Sequence, residues 1–171
     1  MAAIMDAFRK YEDVDLVTGP CLPEYEVPPP NWLKEFWTPA YQGRICGWLS
    51  LMDLGDKEIF ISPTYVWGLN YSIRKKTLYH LGGFHPDCVP PNFQQFQGDG
   101  ETGLSHKAIK LAYKALYNPN VKLHHYINKE RLTIPYFEKR AYYQGVANSY
   151  THCRHQNNLQ KDTTSSAPIL L

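Results

Sequence analysis

Asp99 and Glu101 stand two residues apart in Gln97-Gly98-Asp99-Gly100-Glu101-Thr102-Gly103-Leu104, an acidic, glycine-rich loop that leads into an amphipathic segment. Two carboxylates this close push their ionisations apart, so that one can keep a proton near neutrality, which is what acid–base chemistry needs. The ordinary alternative is structural, because an acidic residue in a first helical turn is favoured by the positive end of the helix dipole. The glycines let another backbone or a ligand come close. From Leu104, the apolar residues Ala108, Leu111, Ala112 and Ala115 recur at helical spacing. That spacing predicts a helix burying one face and giving the acids a firm base.

Other residues have chemistry of the same kind, each with a plainer reading beside it. Val121–Ile127 has the alternation of a short strand and carries His124 and His125. Adjacent strand residues point to opposite faces, so the pair does not readily share one metal. Arg131 and Arg140 offer guanidinium groups, whose two parallel donors match a phosphate. Arg140, beside Glu138 and Lys139, also fits a solvated helix face. Trp67 and Tyr65 flank a turn at Gly68, where an aromatic ring either stacks on a sugar or fills core volume. For Tyr65 the core is the better reading. Asn70 follows in the same loop and is placed near a bound sugar.

Taken in order, these segments form a pattern. Tyr65-Val66-Trp67-Gly68-Leu69-Asn70-Tyr71-Ser72-Ile73-Arg74-Lys75, then Leu81-Gly82-Gly83-Phe84, then the acidic loop and its helix, resemble the acceptor-side half of family 2 glycosyltransferases. The resemblance continues through His125, Arg131 and Thr133 to a helix with Lys139, Arg140, Gln144 and Gly145. It implies a general base in the acidic loop, because an alcohol is a poor nucleophile until a positioned group takes its proton. The family's loop reads G-E-D-x-E/D-L. Aligned on Leu104, this chain has Glu101 at the base position and Gly100 where the preceding acid stands, with Asp99 one residue further out. Glu101 is the first candidate and Asp99 the second. Trp67, Gly68, Asn70 and Arg131 are the implied substrate-binding residues. His125 is the implied ligand of a divalent ion, Mg²⁺ or Mn²⁺, that would act as a Lewis acid on the diphosphate of a nucleotide-sugar.

The resemblance covers residues 1–150 but only the C-terminal half of the family's domain. The nucleotide-binding half, which largely builds the crevice at the strand ends, has no counterpart in it. Asp13-Val14-Asp15 follows the first helical segment rather than preceding it, and so reads as structural rather than as the family's D-x-D motif. The expected fold is α/β, a partial GT-A-like domain with a short mixed sheet and flanking helices. Strands are expected near Leu16, Val66 and Leu123, with helices over Ala2–Tyr11, after Gly103 and from Ile134 to Asn148, the last capped by Thr133. Residues 151–171 read as a polar, disordered tail.

Composition narrows the partners. A net charge of +2 with no long basic run gives no reason to invoke nucleic acid. The four cysteines have no C-x-x-C spacing, which reads as reduced thiols in a cytosolic protein. No apolar run is long enough to span a bilayer, and a peripheral place at the cytoplasmic membrane face fits the family. The implied function is sugar transfer from a nucleotide-sugar to a carbohydrate or glycolipid hydroxyl with inversion, using a missing N-terminal half or a partner chain that supplies it. The alternative is a non-catalytic module that binds carbohydrate or associates with a fuller enzyme.

Overall fold

The segment Val14–Thr18 is almost continuously apolar, as a strand covered on both faces must be. In the computed structural model, residues 1–85, 90, 92–93 and 100–164 are described, with side chains through residue 153. The elements run α1 (Ala2–Lys10), β1 (Val14–Thr18), β2 (Cys21–Tyr25), β3 (Thr38–Ala40), β4 (Gly43–Cys46), β5 (Leu51–Asp53), β6 (Ile59–Ile61), β7 (Ser72–Ile73), α2 (Lys75–His80), α3 (Gly100–Lys110), β8 (Lys114–Tyr117), β9 (Leu123–Ile127) and α4 (Ile134–Thr164). The fold is mixed α/β, but it has two mixed sheets instead of the single short one expected. Their strand orders are β6-β8-β1-β7 and β3-β4-β5-β2-β9.

β1 divides two apolar layers. Val14 and Val17 pack with Ala7, Leu116 and Val121 beneath α1. Leu16 faces the larger cluster, which includes Met52, Leu54, Val66, Leu104, Ala108 and Tyr117. Arg74 ties α1 down: its Nη2 donates to the carbonyls of Phe8 at 2.8 Å and Tyr11 at 3.1 Å, and its Nε to that of Val14 at 2.6 Å. These cationic donors meet carbonyls at and just beyond the helix C-terminus, where positive charge is favoured. Asp13 and Asp15 are structural, as read: Asp13 pairs with Lys114, and Asp15 accepts from the Thr77 hydroxyl at 2.6 Å.

Two parallel strand pairs pass from one sheet to the other side by side. β1 runs parallel to β8 in the first sheet, and their continuations β2 and β9 run parallel in the second. At the junction the Asn118 N–H donates to the Thr18 carbonyl at 2.9 Å, and the Leu123 N–H to that of Pro20 at 2.9 Å. Gly19 is where the backbones come closest, for a Cβ there would lie 2.2 Å from the Val121 carbonyl oxygen and 2.5 Å from that of Asn118. Both obstacles are main chain and cannot rotate away. Gly19→Ala should therefore cost about 3 kcal/mol or more, at or above the upper end for overpacked sites. Urea titration should show it as a lower midpoint with an unchanged slope; an unmoved midpoint would mean that the junction opens easily.

Several expectations need correction. The strand near Val66 does not form. Val66 is fully buried, but it lies between 3₁₀ turns at Pro63–Tyr65 and Gly68–Asn70. The helix after Gly103 ends at Lys110, so Leu111 and Ala112 do not continue its buried face and Ala115 belongs to β8. Ala112 adopts the left-handed conformation with φ 57°. The N–H groups of Ala112 and Tyr113 return to the carbonyls of Ile109 at 3.0 Å and Ala108 at 2.9 Å, a Schellman termination. α4 continues to Thr164, past Asn148. Thr133 stands just before α4, where its hydroxyl donates to the Glu130 carbonyl at 2.8 Å and closes the preceding turn.

Candidate functional site

A cleft of 360 Å³ opens where α3, α4 and two 3₁₀ segments meet. It is lined by Gly47, Trp48, Ser50, Thr64, Trp67, Glu101, Thr102, Ser105, Arg140 and Gln144. Its volume lies at the lower end of the range for small-molecule sites, about 300–1,000 Å³.

The acidic wall is the start of α3. Gly100 opens the helix with φ 50°, and Leu104 and Ala108, at i+3 and i+7 from Glu101 on the same side of the helix, anchor it in the main core. Glu101 is consequently held at the cleft, where its Oε1 accepts a hydrogen bond from the Gly68 N–H at 3.3 Å. That bond connects the two motifs that the sequence placed 33 residues apart. Asp99 lies outside the described residues.

The aromatic wall has two indoles. Trp67 packs partly into the main core and is oriented by its Nε1–H, which donates to the Thr64 carbonyl at 3.0 Å. Trp48 stacks on Phe137, with ring centroids 6.1 Å apart. Tyr65 packs against the main core, as expected.

The basic wall comes from α4. Phe137 is buried, with Phe36 at 4.7 Å and Trp32 at 5.2 Å between centroids. It anchors the first turn in the second sheet's core with Leu49, Leu51, Ile127 and Leu132. Arg140 and Gln144 follow at i+3 and i+7, on the same helical face, and so reach the cleft.

Two sequence candidates have other duties. Asn70 is not in the cleft. It is buried, and its Nδ2 donates to the carbonyls of Val121 at 2.7 Å and Gly19 at 3.2 Å, stitching the junction between the sheets. Arg131 is engaged too: its Nε donates to the Tyr136 hydroxyl at 3.0 Å, and its Nη1 donates to His125 Nε2 at 2.8 Å. That contact makes Nε2 the unprotonated ring nitrogen. The other nitrogen, Nδ1, is buried, and among the described residues no hydrogen bond of ordinary geometry reaches it; the Leu49 backbone is the group that influences the ring there.

This environment holds His125 neutral. Burial lowers its pKa first, the Arg131 charge lowers it further, and the Leu49 backbone opposes both. Because the folded value is depressed below the unfolded one of about 6.5, the stability from this group is fully present above that pH. It is lost as pH falls through the folded value. An NMR titration should show His125 protonating below the ordinary range, with Arg131→Met moving it back up. A ring that titrates normally in the unaltered chain would contradict the arrangement.

The same geometry tests the implied metal. The free lone pair of His125 is directed at a guanidinium, and among the described residues no group of three or more His, Cys, Asp or Glu side chains is placed to hold a metal ion. A divalent ion does not fit the residues around His125 as they stand.

The structure thus brings together Trp67, Gly68 and Glu101 and leaves out Asn70, Arg131 and His125. It adds Trp48, which lies in a stretch without periodicity, and it brings in Arg140, which the sequence offered beside a solvated-face reading, and Gln144, which entered only through the resemblance. In comparisons with known proteins, no family model, curated protein or solved structure matches the chain.

Proposed function

We propose that the cleft is the acceptor side of a glycosyltransferase of the GT-A type. Glu101 takes the proton of an acceptor hydroxyl as that oxygen attacks the anomeric carbon of a nucleotide-sugar, with inversion. The observation that carries this reading is Glu101 in the first turn of α3 within an indole-lined cleft. The carboxylate has one hydrogen bond to backbone and no ion pair among the described residues, so an oxygen is left for a substrate. Indole faces suit the apolar face of a sugar ring, and neutral polar groups at Thr64, Ser105 and Gln144 suit its hydroxyls.

The resemblance in motif order supports the reaction class, and it makes the nucleotide pocket the contribution of an N-terminal half or a partner chain. His125 holds no metal ion in this reading, because its free lone pair accepts from Arg131. No described helix is long and apolar enough to cross a membrane; the proposed place of action is the cytoplasm, at the membrane face where glycolipid acceptors lie.

The test is acceptor-dependent release of nucleoside diphosphate from UDP- and dTDP-sugars, with and without Mg²⁺ or Mn²⁺. It should be run for the chain alone and with a supplied N-terminal half, and compared with Glu101→Gln. Release that depends on Glu101 supports the reading. Sugar binding in the cleft with no transfer under any of these conditions would make the chain a non-catalytic carbohydrate module.

A further inference from the structure

Arg140 and Glu101 line one cleft without closing on each other. Neither forms an ion pair among the described residues. Arg140 is partly buried there, one turn beyond the anchoring Phe137, and its guanidinium has no hydrogen-bond acceptor among the described residues. A neutral ligand filling the cleft would take water from this cation and return only neutral acceptors, which bind a guanidinium about half as strongly as an anion does. A ligand with one anionic group would satisfy it.

We infer that the acceptor is an acidic sugar, a hydroxylated ring bearing a carboxylate or a phosphate monoester, whose anion is held by Arg140 while its nucleophilic hydroxyl faces Glu101. Both anions present paired oxygens that match the two parallel donors of a guanidinium. Trp67 and Trp48 supply the surface on which the ring rests. The charge balance favours a single carboxylate most: a phosphate monoester or the diphosphate of the donor would bring more than one negative charge to a cleft with one arginine and a carboxylate already present. The assignment of this ligand as the acceptor rests on the glycosyl-transfer reading, whereas its recognition by Arg140 is tested without any donor.

The full chain is titrated calorimetrically with methyl glucoside, methyl glucuronoside, glucose 6-phosphate and inorganic pyrophosphate, in parallel with Arg140→Met and Arg140→Lys. At least one acidic sugar should bind about tenfold or more tightly than the neutral one, the difference expected for a charge-assisted hydrogen bond. Arg140→Met should erase that preference, and Arg140→Lys should keep part of it, with circular dichroism unchanged in both. Which acidic sugar wins identifies the anion. The inference is overturned if none of the sugars binds, if the preference is missing, or if it survives Arg140→Met. It is also overturned if pyrophosphate binds through Arg140 and the acidic sugars do not. Failure of the transfer reading looks different, as an intact acidic preference without turnover.

Discussion

Glu101→Gln should slow sugar transfer by about 10²–10⁴-fold, the range that a positioned general base contributes. The replacement is nearly isosteric. Its amide oxygen can still accept from the Gly68 N–H, which now meets Oε1 at 3.3 Å, so the wall between the 3₁₀ turn and α3 should keep its shape. The loss should fall on kcat, with KM little changed, because the proton moves only in the transition state whereas the walls that bind substrate remain. Stability should change by about 0.3–1 kcal/mol, the helix-dipole contribution of one exposed or partly exposed charge. The paired experiment is Asp99→Asn. If that variant loses the rate and Glu101→Gln does not, the base is the outer acid and the alignment on Leu104 is off by two residues. If both keep full activity, the cleft does not use a carboxylate base at all.

What the sequence revealed about this fold follows from the length and burial of each element. α1, β1 and β9 were legible because each has a clear period or a clear apolar run over at least five residues. β3 and β5 have three residues each, too few for any period to register. β2 contains Pro23, which argues against an inner strand. It is accommodated because β5 pairs with β2 only at Cys21, and the rest of that side has no partner strand. Val66 shows the reverse error, since complete burial in a loop leaves the same letters as burial in a strand.

The site divides in the same way. Glu101, Trp67 and Gly68 lie in motifs whose local geometry is set by nearby chain, and the structure brings them to one cleft. The choice between Arg131 and Arg140, and the fate of Asn70, depended on which residues other elements left unsatisfied. Two backbone carbonyls at the sheet junction need a donor, and Asn70 supplies it. Tyr136 and His125 engage Arg131, which leaves Arg140 as the guanidinium facing the cleft. Such competition between distant partners has no signature in spacing.

The basic wall depends on a single buried ring, and Phe137→Ala should therefore change both stability and ligand recognition. Phe137 is 5% exposed and meets Trp32, Phe36, Trp48 and Tyr136 within 6.1 Å between centroids. Truncating a buried phenylalanine to alanine costs about 3–5 kcal/mol, through lost transfer energy and the cavity left behind. Aromatic pair geometry adds about 0.5–1.5 kcal/mol for a pair, so this cluster belongs at the upper end. Phe137 is the only buried residue of α4 over 134–153; further along, Tyr142 is exposed and Tyr150 meets His85 at 6.3 Å between centroids. Losing the ring should loosen the helix start before the two sheets are affected, and Arg140 and Gln144 would lose their fixed positions. The expected result is a lower urea midpoint together with loss of any arginine-dependent preference for acidic sugars, while far-ultraviolet circular dichroism in the absence of urea remains near that of the unaltered chain. Phe137→Leu, which refills most of the volume, should restore much of the stability. If Phe137→Ala kept both its midpoint and its acidic preference, α4 would have to be held at the cleft by something other than this aromatic cluster.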